Sequence, residues 1–169
     1  VILGLVIIAI IAPHITPMDP IKQDIWEKYA APRGLIVDGQ LNGTYILGAD
    51  ELGRDVLSRL IMGTRVSLLV AFIATSISLV FGVVLGALAG YVGGRLDNVI
   101  MRVMDVLLAM PGILLAIAIV ATFGPNIVNV MMAIAIVRIP AMARVVRSEV
   151  LALKEEEFVE AGRALGLSP

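Results

Sequence analysis

The residues able to do chemistry in this chain are few, and most are charged rather than nucleophilic. Asp50, Arg54, Asp55 and Arg59 stand as two acid–base pairs four residues apart, with Gly48, Gly53 and Ser58 among them. At that spacing an acid and a base meet across one helical turn, and each exposed pair contributes about 0.2–0.5 kcal/mol. The set therefore reads as structural, with Gly53 permitting a turn or a close approach. Contact with a charged solute is the alternative. Glu155, Glu156, Glu157 and Glu160 form a second charged group near the end. Asp105 and Arg138 stand apart inside apolar sequence, where an ionisable side chain normally faces a protein interior or a watery path.

Enzymatic chemistry is poorly provided for. His14 is the one histidine and cysteine is absent, so there is no thiolate nucleophile, thiolate metal site or disulfide framework. A metal site needs several convergent ligands, and His14 beside Pro13 reads as an interfacial loop residue. No G-x-x-x-x-G-K-[ST] phosphate loop occurs, and no Gly is followed by Lys. The chain is therefore not expected to hydrolyse ATP, and no catalytic, cofactor-binding or metal residues are expected. Basic residues cluster no further than pairs such as Arg144 and Arg147, and the formal net charge is −1. That excludes the electrostatic footprint of a nucleic-acid partner.

The elements that must position these residues are membrane helices. Of 169 residues, 59% are hydrophobic and 16% charged, against roughly half and a quarter in soluble domains. Val66 to Gly94 carries no charge and is bracketed by Arg65 and Arg95, enough for one tilted span. Val106 to Val137 is also uncharged but too long for one crossing, and Gly124-Pro125-Asn126 divides it at a tight turn. Spans are predicted at about 66–94, 97–123 and 127–143, with Asp97 as a candidate cap. Pro111, followed by Gly112, removes a backbone hydrogen bond and is expected to kink the middle one, as a gate hinge or as an ordinary membrane proline. Residues 1–12 are too short to cross alone. They read as the end of a first span rather than a signal-peptide core, because Pro13 and Pro17 lead into a polar loop without a small-x-small cleavage pattern. The chain opens on Val inside this run and stops at Pro169, so both ends are expected to be cut. The fold class is all-α, a polytopic transmembrane helical bundle.

Residues 13–65 form a polar extramembrane loop. Ala31 to Tyr45 is rich in turn residues and suggests turns or a short hairpin. Asp50 to Ile61 is predicted to be an amphipathic helix on the membrane surface, with Leu52, Val56, Leu57 and Leu60 on one face. Residues 93–102 and 141–169 carry six Lys or Arg in 39 residues, against six in 53 with seven acids for the long loop. Basic density thus puts residues 13–65 outside the cell and the two shorter segments inside. Gly82, Gly86 and Gly90 repeat every four residues and allow another backbone to come close, within the subunit or from a neighbour. Met101, Met104 and Met110 follow helical spacing and read as packing residues.

Glu149 to Leu165 is predicted to be one helix with a narrow apolar stripe of Leu151, Phe158, Ala161 and Leu165, stopped at Gly166. It is either a solvated helix or a rigid lever that carries force between a partner and the spans.

The string Glu160-Ala161-Gly162-Arg163-Ala164-Leu165-Gly166 resembles the E-A-A-x-x-x-G loop of bacterial ABC-importer permeases, with Gly162 where Ala is usual. A glycine there loosens a helix by up to about 1 kcal/mol. A second stretch, Leu47 to Leu60, resembles the G-T-D-x-x-G-R-D-x-x-S-R segment of the dipeptide and oligopeptide permease C subunits, through Gly48, Asp50, Gly53, Arg54, Asp55, Ser58 and Arg59, with Ala49 in place of Thr. Gly63-Thr64-Arg65-Val66-Ser67-Leu68 and Gly90-Tyr91 extend the likeness, which covers about residues 47–167.

The resemblance implies a type I-like importer permease of six spans, with residues 149–167 as a cytoplasmic coupling segment that inserts into an ATPase. Glu160, Ala161, Gly162 and Gly166 would make that contact. It implies as partners a second permease, two ATP-binding subunits, an extracytoplasmic substrate-binding protein and membrane lipid, in a bacterial or archaeal cytoplasmic membrane. Peptides are the implied cargo, with nickel chelates and other small solutes carried by relatives. A rival class is an ion-coupled secondary transporter or channel, for which Asp105 is the one plausible intramembrane acid. A membrane scaffold is a third. Asp105, Pro111 and Arg138 are candidate pathway or hinge residues.

Overall fold

The computed structural model describes residues 2–34, 36–37, 40–41 and 44–166. Helix α1 (Ile2–Ile15) is followed by a 3-10 turn (Ile25–Glu27) and a hairpin of β1 (Ile36–Val37) and β2 (Gln40–Leu41). Four long or medium helices come next, α2 (Val56–Val92), α3 (Gly94–Ala109), α4 (Gly112–Phe123) and α5 (Ile127–Lys154), and then the short α6 (Glu157–Ala164). The fold is all-α apart from that hairpin, which pairs Ile36 with Leu41 and Val37 with Gln40. Two compact units divide the chain at Val70 and Ala71, and α2 contributes to both.

In the first unit the polar segment is held by turns. The N–H of Tyr29 donates to the Asp50 carbonyl at 3.2 Å, that of Ala49 to Ala30 at 2.9 Å, and that of Arg33 to Tyr45 at 2.7 Å. The helix predicted from Asp50 does not begin there. Asp50 to Gly53 is a turn closed by Gly53 N–H on the Asp50 carbonyl at 3.0 Å, and Ala49 pairs with Asp55 as an isolated bridge. Helix α2 starts at Val56 and continues for 37 residues, so the separate surface helix and the span at 66–94 are one element. The reason is that Arg59 and Arg65 end the apolar run without ending the backbone hydrogen-bond ladder. A charge bounds the hydrocarbon, not the helix.

In the second unit, α2 and α5 are each long and apolar enough to cross a membrane, and α3 with α4 would make a third span bent by 91°. The expected kink at Pro111 is thus a break. Met110, which precedes the proline, takes an extended conformation (φ −89°, ψ 134°), as the proline ring demands of its neighbour. Two residues leave the helix and α4 restarts beyond Pro111. Asp97 is not the cap of α3, which starts after Gly93; it lies in the first turn and pairs elsewhere. The Gly124–Asn126 turn is closed by Asn129, whose amide donates to the carbonyls of Phe123 and Gly124 at 2.9 and 3.0 Å. Asn126 caps α5 by accepting from the Val128 N–H at 3.1 Å.

The glycine stripe resolves its own partner. Gly82, Gly86 and Gly90 on α2 lie against α5 of the same chain, where an added Cβ would fall 2.6 Å from Met142 Cβ, 2.4 Å from the Ala143 carbonyl oxygen and 2.9 Å from Val150 Cβ. Ala74 and Ser78 continue the stripe and are buried. Val80, Val84 and Leu88 stand on the opposite side of α2 and are exposed, as side chains facing lipid or another subunit would be.

Candidate functional site

The segment predicted as one helix over Glu149–Leu165 is divided. Residues 149–154 belong to α5, and a turn at Glu155 and Glu156 separates them from α6. The break falls where Lys154 is followed by three glutamates, Glu155 to Glu157. The Glu155 N–H closes on the Ala152 carbonyl at 3.1 Å, and the Val159 and Glu160 N–H groups fold back on the Glu156 carbonyl. The turn also breaks the expected stripe, since Leu151 stays on α5. Phe158 and Leu165 are 68% and 82% exposed. Glu160 and Ala161 are exposed and Gly162 is half-buried. Gly166 has φ +79°, a left-handed end that a side chain would strain. Residue 167 lies outside the described residues.

What α6 hangs from is firmly bolted. Arg147 on α5 donates through Nε and Nη2 to both carboxylate oxygens of Asp97 on α3, at 2.5 and 2.6 Å. One turn higher, Arg144 pairs with Asp105 at 2.8 Å, in an exposed position. Lys154, the last residue of α5, donates to the carbonyls of Gly90 and Tyr91 at 3.2 and 2.9 Å. These are unpaired carbonyls at the C-terminal end of α2, where a cation is favourable. Two elements, α2 and α3, therefore converge on the last three turns of α5, just before α6.

The second motif is a cradle in the first unit. Asp50 accepts the N–H groups of Leu52 and Arg54 at 2.9 and 3.0 Å and the Arg54 Nε at 2.8 Å, and it also pairs with Arg59. Desolvation raises the Asp50 carboxyl, but those N–H groups and the Arg54 guanidinium outweigh it and hold the group far below the usual carboxylate range. Asp55 caps α2 by accepting the Ser58 N–H at 2.8 Å and the Ser58 hydroxyl at 2.5 Å. Ser58 in turn accepts from the Met18 N–H at 3.1 Å. Gly53 (φ +71°) presses on the Asp24 carbonyl, where a Cβ would sit 1.7 Å away. Gly48 (φ +85°) does the same to Ala30, at 2.7 Å. The acid–base spacing predicted helical pairs; the tertiary fold instead gathers both arginines on Asp50 and leaves Asp55 to its cap.

Asp105 and Arg138 are not brought together. Asp105 pairs with Arg144, and Arg138 donates to the Thr75 hydroxyl at 3.5 Å. Pro111 sits at the bend, and Gly112 packs on α5, where a Cβ would lie 2.7 Å from Val137 Cγ1. Met104 is buried and Met110 exposed. Among the described residues no group of three His, Asp or Glu is placed to hold a metal ion. Sequence reasoning missed Arg147, Lys154 and the pairing role of Asp97. Fifty residues separate Arg147 from Asp97, so no local spacing links them; lone opposite charges at the ends of neighbouring spans are the one available signal.

Comparison with known proteins extends these observations. The family model described as "Binding-protein-dependent transport system inner membrane component" matches residues 82–169. The chain is 41% identical over 167 residues to the dipeptide transport system permease protein DppC of Alkalihalophilus pseudofirmus, covering 99% of this chain and 52% of that protein. It is 44% identical over 162 residues to the di/tripeptide transport system permease protein DppC of Pseudomonas aeruginosa, covering 96% and 52%. It is 50% identical over 120 residues to the glutathione transport system permease protein GsiD of Pectobacterium atrosepticum, covering 71% and 40%. The chain spans about half the length of the curated relatives it matches.

Proposed function

This chain belongs to the family of binding-protein-dependent transport system inner membrane components, and on that premise we propose that it forms part of the permease of an ATP-binding cassette importer. The cargo is dipeptides or oligopeptides, crossing a bacterial or archaeal cytoplasmic membrane. Names of three relatives support that class: dipeptide, di/tripeptide and glutathione, itself a peptide. A second permease encloses the path with this one, two ATP-binding subunits drive it, and an extracytoplasmic binding protein delivers cargo. The Asp50 cradle faces outward and α6 faces the cytoplasm. This subunit performs no hydrolysis of its own.

The observation that carries the reading is α6, a short helix with exposed Phe158, Glu160 and Leu165, ending at the left-handed Gly166 and joined to an α5 end tied to α2 and α3. An ATPase cleft closing on α6 would pull α5, and Arg147 and Lys154 would pass that displacement to α3 and α2. The apolar side chains supply burial and Glu160 supplies orientation at such a contact. Glu160→Lys and Gly166→Val in the complete subunit test this. Both changes should abolish ATPase association and peptide uptake while the protein still inserts. Survival of association and uptake in both would sink the coupling role of α6.

A further inference from the structure

We propose that the turn-rich segment of the first unit holds a site for the primary ammonium group of a small organic cation. Resting on the transport reading above, that cation is the N-terminal ammonium of the peptide cargo. A cavity of about 480 Å³ opens in this segment, lined among others by Asp19, Lys22, Asp24, Tyr45, Gly53 and Asp55. Its size falls within the range of small-molecule sites.

Asp55 is 3% exposed. One of its oxygens, Oδ2, is taken by the Ser58 N–H and hydroxyl, and the other, Oδ1, is buried with no hydrogen-bond partner among the described residues. A buried acceptor left unmade is costly, and Asp55 is among the residues that line the cavity. Two further carboxylates that line the same cavity are held in place by backbone donors. Asp19 accepts the Ile21 N–H at 2.9 Å and Asp24 the Trp26 N–H at 3.1 Å, each through Oδ1. Gly53, pressed on the Asp24 carbonyl, fixes that loop against the start of α2. The field in the cavity is negative, as Tyr45 registers: burial first, then Glu27, Asp24 and Asp55, push its phenol up.

Three carboxylates against the one ammonium of Lys22 select a cation. Among the described residues no three acids converge to hold a metal ion. A single-charged ammonium needs only one close acceptor, Asp55, with Asp19 and Asp24 adding negative charge at longer range. Lys22 leaves a partner for the carboxylate at the other end of a zwitterion.

The test is calorimetric titration of the full-length protein in lipid nanodiscs, without binding protein, using Ala-Ala, N-acetyl-Ala-Ala and calcium chloride as probes. Ala-Ala should bind. Acetylation should weaken it about tenfold or more, the worth of one charge-assisted hydrogen bond. Asp55→Asn should do the same while keeping the helix cap, since Asn accepts there as well as Asp; Asp24→Asn provides the same reading should the first variant fold poorly. Equal binding of the acetylated peptide, binding of calcium in place of the amine, or no binding of Ala-Ala would each overturn the site. Peptide uptake by a protein that binds no amine overturns this site alone. Amine binding without uptake supports the site and overturns the transport reading.

Discussion

Arg147 grips Asp97 by both carboxylate oxygens, at 2.5 and 2.6 Å, from fifty residues further along the chain. The fork of a guanidinium matches a carboxylate in this way and a lysine ammonium does not. The pair is mostly buried, with side chains 30% and 14% exposed. Arg147→Lys should therefore cost about 1–2 kcal/mol, and Arg147→Ala about 3 kcal/mol, because the second leaves Asp97 without a counter-charge. Denaturation of the two variants and of the Asp97→Ala, Arg147→Ala double variant in detergent measures this. Additive losses in the double variant would mean the two residues are not coupled.

Helix α2 packs closely on α5 along the stripe of Gly82, Gly86 and Gly90. Gly86→Ala puts a Cβ 2.4 Å from the Ala143 carbonyl oxygen, so the helices must part, at a cost of about 1–3 kcal/mol. Gly63 lies in the same helix with nothing within 4 Å of an added Cβ, and Gly63→Ala should stabilise by up to about 1 kcal/mol. Opposite shifts in thermal midpoint are expected. Shifts of the same sign would show that the glycine stripe is not a tight packing seam.

Lys154 ties the end of α5 to the end of α2, with two residues between it and α6. Lys154→Met keeps much of the stem and removes the charge, with a loss of about 0.5–1.5 kcal/mol. If α6 docks an ATPase as proposed, uptake should fall while association with that ATPase persists. Unchanged uptake in vesicles would show that force does not pass through this joint.

The Asp50 carboxyl makes the first unit sensitive to acid. In the unfolded chain an aspartate titrates near about pH 3.9, whereas in the fold its backbone donors and Arg54 hold it far lower. The unfolded state therefore takes up the proton first. Stability from this group is complete above about pH 5 and is lost as pH falls from there toward the folded value. Thermal midpoints of the wild type should drop between about pH 5 and pH 3, and those of Asp50→Asn should drop less. Identical slopes would remove Asp50 as the cause.

Much of this molecule was legible in its residues. Long uncharged runs demand helices in lipid, and the Gly124-Pro125-Asn126 turn and the left-handed stop at Gly166 follow from backbone preferences acting over a few residues. The membrane class, the all-α fold and the family likeness at residues 47–60 and 160–166 rest on such local signals, and the family match over residues 82–169 agrees with them. Where local rules misled, a longer-range constraint had won. The charge pattern at Asp50 to Arg59 suited a helix, but Gly48 and Gly53 at positive φ turned it into a cradle closed by contacts with Asp24 and Ala30.

The sequence by itself determined that the chain is a membrane helical protein and where most of its helices pause, because burial of apolar runs and the φ limits of Gly and Pro are properties of neighbouring residues. Only the tertiary structure decided what meets what: that the glycines of α2 receive α5, that Arg147 closes on Asp97, that Lys154 ends α2, and that Asp55 keeps a buried oxygen unmatched among the described residues. Those relationships join residues tens of positions apart. No periodicity records them, since each depends on where folding carries the two partners.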